Sequence, residues 1–514
     1  MPMAGFFVSR EETKACIVAF VAGFSGMVVE IVAGRILAPH VGVSLYTWTS
    51  IIGVVLAGIA FGAYVGSLIA DRYSRASALG WILVLAGLAV LSIPPLTQSM
   101  GGAYLSDSLM ARVILVTIII FFVPSSLLGM VVPLVVRLAL STLEKAGNVV
   151  GKIYAFSTLG AILGTFATGF FLISWMGTAN LLFGVTLLLF ASPMLLGRLA
   201  GKRRLALLLL PLLWLLHHYV LNPVPGPDTL LVKESSYYTI KLTRSSGGDR
   251  EQLVTLYLDQ LTHSCSDPVD PLYLQYRYIR SYKEIVDWKA GERKPSRVLF
   301  IGGGGYTFPR FMEARYPRAG IDVVEIDPMV TEVSRKYMGL SPATRIRTFN
   351  EDARWFVMNL KGKGIYDFIF EDAFNDLSIP YQLTTREFAK ELRRLLRDDG
   401  LLLTNVIDRF EKGSFLPSYV RTLEEVFGKG HVYLVTLGSA EGSRGVVVNR
   451  VVLASPGGVD LGALARSLDR MDEIDRVSYV MPQHDLQDRL DEFRPMVLTD
   501  DYAPVDNLTA ANFH

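Results

Sequence analysis

Cysteine is nearly absent, with two residues among 514. Cys16 sits in an apolar stretch and Cys265 in a polar loop, so neither a disulfide framework nor a cysteine metal cluster can be built, and no metal is expected. Charge is also scarce. Only 19% of residues are Asp, Glu, Lys or Arg, and a mean hydropathy of +0.36 excludes a wholly soluble globular chain. The scarcity is local: residues 1–222 hold 13 Lys+Arg and 6 Asp+Glu, a net +7, while the remaining 292 hold 37 and 42, a net −5. The second part lacks the basic footprint of a nucleic-acid binder, so no nucleic-acid partner is expected. The first part calls for a different solvent, a lipid bilayer.

Crossing about 30 Å of hydrocarbon takes roughly 20 helical residues, and seven stretches meet that need. They run approximately from Lys14 to Leu37, Leu45 to Ala70, Leu79 to Leu96, Arg112 to Leu138, Val149 to Trp175, Asn180 to Leu199 and Leu205 to Val220. The first is too long for a cleaved signal peptide, carries Glu30 and Arg35, and is followed by further spans. Small residues recur at Gly58, Gly62 and Gly66 and at Gly160, Gly164 and Gly169, a spacing that lets helix backbones approach closely. Pro124 and Pro133 predict a kink or a break in the fourth stretch.

Glu30 is the one acid deep within an apolar stretch, so it should face the bundle interior or a polar cavity. Its partner is either a structural contact, such as Arg35 or a hydroxyl of a neighbouring helix, or a cationic amine. Lys and Arg cluster in the loops after the second, fourth and sixth stretches. The positive-inside rule then places those loops and the N-terminus in the cytoplasm, and seven spans would put the soluble half outside. The soluble half's own motifs, described below, point to a ligand made in the cytosol and so argue the opposite; the expectation is a multi-pass protein of the cell membrane with its soluble half in the cytoplasm.

The run Asn222-Pro-Val-Pro-Gly-Pro marks a rigid linker, dividing residues 1–222, the membrane helices, from the soluble part. Alternating segments Thr229 to Thr243 and Gln252 to Leu258 predict a small β-rich subdomain over 223–290. Over 291–514 strands and helix-length apolar segments alternate: Val298 to Ile301, Ile321 to Glu325, Ile346 to Thr348, Tyr366 to Phe370 and Leu401 to Val406, then His431 to Thr436 and Val446 to Ala454. That pattern predicts a doubly wound, Rossmann-like α/β fold of methyltransferase type.

The chemistry gathers at the strand ends. Gly302-Gly-Gly-Gly-Tyr-Thr follows the first strand, where glycines allow a sharp turn and close ligand approach, or serve only as a structural turn. Glu325 ends the second strand 23 residues after Gly302, near the spacing at which an acid reaches ribose hydroxyls. Asp352 in Asn350-Glu-Asp-Ala is either a helix N-cap or an acceptor for an exocyclic purine amine. Glu371-Asp-Ala-Phe-Asn-Asp closes the fourth strand with three acids in six residues, at the edge where such sheets bind ligands.

These motifs, with Glu234-Ser-Ser-Tyr, Leu258-Asp259, Val324-Glu-Ile-Asp, Tyr366-Asp, Leu383-Thr-Thr-Arg-Glu-Phe, Gly151-Lys-Ile-Tyr-Ala-Phe-Ser-Thr-Leu-Gly-Ala and the closing Leu498-Thr-Asp-Asp-Tyr-Ala-Pro-Val-Asp, resemble the membrane-fused branch of the spermidine synthase (polyamine aminopropyltransferase) family. The resemblance implies a transferase of polyamine biosynthesis. It implies that Gly302, Gly303, Gly304, Glu325, Asp352 and Ala353 hold the nucleoside of decarboxylated S-adenosylmethionine and that Asp372 takes a proton from the attacking amine. Tyr237, Asp259, His263 and Asp376, with Glu30 in the membrane half, are the residues expected to meet a putrescine- or spermidine-like amine. Departures fall on that amine side: the family's Gly-Gly-Gly-Asp-Gly-Gly has Gly305 for its acid, with Tyr306 next; its Tyr-Gln reads Tyr237-Tyr238; and its Tyr-His-Glu reads Leu274-Gln-Tyr. Three functions stay open: aminopropyl transfer, methyl transfer from intact S-adenosylmethionine on the same scaffold, and a non-catalytic polyamine transporter or sensor. Small-residue helix faces and the family together make a homodimer plausible.

Overall fold

The computed structural model describes residues 10–42, 44–73, 76–100, 109–140, 146–195, 226–247, 250–259, 261–373, 379–409, 414–437, 447–471 and 476–509. The expected seventh span and Asp376 lie outside the described residues. Contacts group the chain into two units. One holds the N-terminal helices to Gly226 with Lys233–Tyr238, and the other holds Pro227–Val232 and Thr239 onward.

The first unit is helical: α1 (Arg10–Val41), α2 (Leu45–Arg72), α3 (Ala76–Leu91), α4 (Ile93–Met100), α5 (Leu109–Gly129), α6 (Val131–Ala139), α7 (Ala146–Ala167), a π-helical turn (Thr168–Leu172), α8 (Ile173–Met176) and α9 (Thr178–Leu195). Among the described residues five segments are long and apolar enough to cross a membrane: Arg10–Val41, Leu45–Arg72, Ala76–Met100, Met110–Ala139 and Ala146–Met176, with the shorter apolar Thr178–Met194 after them. The fourth segment breaks at Met130, between Pro124 in α5 and Pro133 in α6. Each ring removes a backbone donor, and the chain resumes as a new helix.

Glycines set two tight seams. On α2, side chains at Gly58, Gly62 and Gly66 would run into Ser125, the Ser126 backbone and Met130. On α7, side chains at Gly160 and Gly164 would run into the carbonyl oxygens of Phe20 and Phe24, and one at Gly23 into that of Ser157. Gly169 departs from the expectation: it lies in the π-helical turn, and a Cβ there would meet nothing within 4 Å. Arg35 does not pair with Glu30. It donates to the carbonyl oxygens of Ser235, at 2.7 Å, and Tyr237, while Glu234 accepts from the backbone N–H and hydroxyl of Thr178 at 3.1 and 2.8 Å.

The chain then forms an antiparallel sheet of β1 (Thr229–Glu234), β2 (Thr239–Gly247), β3 (Arg250–Leu258) and β4 (Leu261–Ser266), paired in chain order. It continues through α10 (Arg277–Glu292), β5 (Arg297–Ile301), α11 (Thr307–Arg315), β6 (Gly320–Val324), α12 (Pro328–Tyr337), β7 (Arg347–Phe349), α13 (Ala353–Asn359), β8 (Tyr366–Glu371), α14 (Arg386–Leu395), β9 (Leu396–Arg409), α15 (Phe415–Phe427), β10 (Val432–Leu437), β11 (Val447–Ala454), α16 (Leu461–Asp469), β12 (Ser478–Val480), α17 (Gln483–Phe493) and α18 (Val505–Thr509). The large sheet has the order β12-β10-β11-β9-β8-β5-β6-β7. From β7 to β9 the pairs are parallel, and β11, β10 and β12 add antiparallel.

Strand alternation divides the core. Leu299, Ile301, Ile369 and Leu402 pack with Phe388, Leu392 and Val420 of α14 and α15. Their neighbours Val298, Phe300, Phe368, Phe370 and Leu403 pack on the other face with Ile279, Tyr282 and Phe308 of α10 and α11. All six residues of β8 are buried, as a central strand covered on both faces requires. The strand order reverses between β5 and β8, the position at whose carboxyl ends sheets of this kind generally bind ligands.

Gly160→Val should destabilise the helical unit by about 1–3 kcal/mol, because the added side chain must displace the α1 backbone. Gly169→Ala should leave it nearly unchanged. Thermal unfolding of the detergent-solubilised protein checks both, and equal transitions for the two variants would remove the seam as the reason.

Candidate active site

Gly302, Gly303, Gly304, Glu325, Asp352 and Asp372 all lie at the carboxyl edge of the parallel strands, where β5, β6, β7 and β8 end. The junction at β5 leaves no room for a side chain. Gly302 has φ of +94°, and a Cβ there would strike the carbonyl oxygen of Asp372. The Asp372 N–H in turn donates to the carbonyl of Ile301 at 2.9 Å, so the ends of β5 and β8 are tied backbone to backbone.

Glu325 is buried, and its carboxylate organises the loop. Oε2 accepts from the N–H groups of Gly303 and Gly304 at 2.8 and 3.2 Å, and Oε1 accepts from Asp327 N–H at 3.0 Å. Burial raises its pKa, opposed by these donors, which favour the charged form. A carboxylate offers about four lone-pair sites, so accepting capacity remains after the three bonds. A Cβ at Gly304 would meet nothing within 4 Å, which leaves that side of the cradle open. The Gly303 and Gly304 amides are thus turned toward Glu325.

Asp352 is the N-cap of α13. Its Oδ1 accepts from Trp355 N–H at 2.9 Å, and Ala353 behind it is buried. One oxygen thus serves the helix, in keeping with the plainer of its two expected roles.

Asp372 is held by side chains that local sequence patterns do not mark. Asn405 Nδ2 donates to its Oδ1 at 2.9 Å, and Asn449 Nδ2 donates to Asn405 Oδ1 at 3.0 Å. The Tyr278 hydroxyl also donates to Asp372. Burial pushes the Asp372 carboxyl up to about 6, against these hydrogen bonds. Asn405 lies on β9, Asn449 on β11 and Tyr278 on α10. Only the antiparallel addition of β11 to β9, which sets Asn449 opposite Ile407, brings the two asparagines together.

Glu371, one residue earlier, points to the opposite face. Its Oε2 accepts from the Tyr419 hydroxyl at 2.6 Å and from Thr404 Oγ1 at 3.0 Å. A small cavity there is lined by Glu371, Thr404, Tyr419, Phe415, Ile379 and Leu383. Burial pushes the Glu371 carboxyl up to about 7.

Three of the residues expected to meet an amine, Asp259, His263 and Tyr237, have the following surroundings. Asp259, in the left-handed region at φ of +54°, accepts from Thr239 N–H at 2.9 Å, which closes the strand pairing. His263 Nδ1 lies 3.0 Å from the Leu261 carbonyl oxygen. Tyr237 belongs with the helical unit. A side chain at Gly305 would collide with Ser264 and Met338, so this loop is packed shut where the resemblance has a carboxylate. Tyr306 fills the loop from within: it is fully buried, with its hydroxyl 2.9 Å from Thr331 Oγ1.

Residues 281–445 match the spermine/spermidine synthase domain family. A polyamine aminopropyltransferase of Vibrio vulnificus is 36% identical over 163 residues, 31% of this chain and 50% of that protein. The chain thus spans half the length of this relative. A polyamine aminopropyltransferase 2 of Aquifex aeolicus is 26% identical over 459 residues, covering 83% of this chain and 85% of that one. The crystal structure of a probable spermidine synthase from Corynebacterium glutamicum aligns with a TM-score of 0.45 and 20% identity, over 55% of this chain and 98% of that one.

Glu371 and Asp372 both titrate higher in the folded state than in the unfolded one. The native protein therefore binds more protons between about pH 4 and 7, and stability falls as pH rises through that window. Glu371→Gln should remove a share on the order of 3 kcal/mol and flatten the pH dependence of denaturant unfolding. An unaltered dependence would show that burial does not shift this carboxyl.

Proposed function

Because this chain carries a domain of the spermine/spermidine synthase family, we propose that it is a polyamine aminopropyltransferase. It moves an aminopropyl group from decarboxylated S-adenosylmethionine to an amine of putrescine or spermidine type and releases methylthioadenosine. The observation that carries the reading is Asp372: a partly buried carboxyl with pKa near 6, tied by its own backbone to the glycine loop that Glu325 organises.

Glu325 offers its remaining accepting capacity to the ribose hydroxyls of the donor, on the open side beside Gly304. Asp352 and Ala353 bound the adenine end, with the Asp352 oxygen not used by the helix cap facing the exocyclic amine. An alkylammonium cannot attack carbon, so Asp372 first takes a proton from it. The freed nitrogen lone pair then forms a bond to the aminopropyl carbon beside sulfur. The carbon–sulfur bond breaks in line, and its electron pair leaves on the neutral thioether.

A carboxyl near 6 suits this task, since it is ionised at neutral pH yet basic enough to share the proton. Asn405 and Tyr278 hold it in orientation by occupying its lone pairs. With position 305 closed to a carboxylate, Asp372 carries more of the amine's charge than the family pattern implies. The donor is made in the cytosol, which assigns the soluble half to the cytoplasmic side of the cell membrane.

Purified protein with putrescine or spermidine should release methylthioadenosine only when the decarboxylated donor is supplied. S-adenosylhomocysteine from the intact donor would instead establish methyl transfer, and neither product despite binding would establish a carrier or sensor. Asp372→Asn should lower turnover about a hundredfold or more with nucleoside affinity kept, whereas Glu325→Ala should lose that affinity. The wild-type rate should rise with pH through about 6 as Asp372 ionises; a rate independent of pH across that range would remove Asp372 as the base.

A further inference from the structure

The helical unit holds a second acidic position that the reaction above does not use. α1 and α7 run parallel in a fixed register: Glu12 pairs with Lys152 at 3.7 Å, the Phe20 carbonyl lies over Gly160, and the Phe24 carbonyl lies over Gly164. The offset is 140 positions each time. Continued upward, it sets Glu30 level with the π-helical turn Thr168–Leu172, which packs against α1. At 100° per residue, Glu30 lies on the same face of α1 as Glu12 and Gly23, the face that meets α7. Of the two acids on that face, Glu12 has its lysine. Glu30 is half-buried and makes no hydrogen bond or ion pair among the described residues.

Two further groups surround this level. Thr168 is fully buried, and its Oγ1 has no hydrogen-bond partner. A buried hydroxyl in apolar surroundings costs free energy when left unpaired, and it stands in a π-helical turn, a distortion that tends to mark functional positions. One turn beyond Glu30, the Trp48 ring of α2 lies against Gly34, where any side chain would displace it. A carboxylate, an unpaired hydroxyl and an indole ring, set within about one helical turn of Glu30 by the α1–α7 register and the Trp48–Gly34 contact, are the groups that recognise an organic ammonium: ion pair, hydrogen bond and cation–π contact.

We propose that Glu30, Thr168 and Trp48 form an intramembrane binding site for an alkylammonium group. Glu30 supplies the counter-charge, Thr168 Oγ1 accepts an ammonium N–H, and Trp48 covers the cation from the α2 side. The ligand class is that of the amine in the proposed reaction, but the site rests on the helical unit alone. A bare metal cation would share the carboxylate and the hydroxyl and gain less from the indole relative to its lost hydration.

The test is equilibrium uptake of radiolabelled putrescine by the full-length protein in nanodiscs, without donor. Glu30→Gln should weaken one saturable component by at least about tenfold, the loss of a charged hydrogen bond. Thr168→Val and Trp48→Leu should weaken the same component several-fold, and sodium ion at equal concentration should not displace it. Glu30→Gln removes an unpaired charge and Thr168→Val an unpaired hydroxyl, so both variants should keep the wild-type thermal transition. Uptake by Glu30→Gln equal to wild type, or displacement by equimolar sodium, overturns the proposal. Methylthioadenosine release by the wild type in the same nanodiscs reports on the soluble site separately, so that either reading can fail while the other stands.

Discussion

The Glu325 carboxylate, accepting from Gly303, Gly304 and Asp327, is the contact on which the geometry of the soluble unit's site depends. Without it, loop N–H groups turned inward would lose their acceptor, at roughly 1–3 kcal/mol each. The loop it holds begins at Gly302, whose lack of a side chain lets the Asp372 carbonyl lie against it. The acid at the end of β6 and the acid at the end of β8 are therefore set relative to one another through a few bonds of main chain. Any ligand gripped by the first is presented to the second.

Strand alternation then gives two neighbouring carboxyls different surroundings. Asp372 turns to the face of Tyr278 and Asn405, and Glu371 to that of Thr404 and Tyr419. Burial raises both, and the donors around each oppose it to different extents. Pairs of acids pushed apart in this way let one fold present a base near neutrality beside a carboxyl that stays protonated longer. Further along the glycine loop the space is narrowed: Gly305 is packed against Ser264 and Met338, and Tyr306 is buried below it.

In the helical unit the same economy of side chains serves packing. Glycines bring α2 onto α5 and α1 onto α7 at backbone contact, and van der Waals attraction drives association where lipid removes the hydrophobic effect. Such close seams fix the register of polar residues along them. Glu12 finds Lys152 in this way, and Glu30 arrives beside a π-helical turn rather than a basic residue.

Much of this was readable in advance, because it depends on patterns short enough to lie in one stretch of chain. Apolar length marked the first five segments able to cross a membrane, and Pro124 with Pro133 marked the break in the fourth. The strand–glycine–helix run from Val298, and Glu325 at its spacing, marked the carboxyl edge of the sheet, since strand period and loop length are local properties. What the tertiary structure alone decided was each polar group's partner. Asn405 and Asn449 meet through pairing of β9 with β11, Arg35 turns to Ser235 and Tyr237 instead of Glu30, and Asp259 closes a strand pair. Burial and hydrogen bonding are set by residues far apart along the chain, and the ionisation of a carboxyl follows from those surroundings rather than from its own neighbours in sequence.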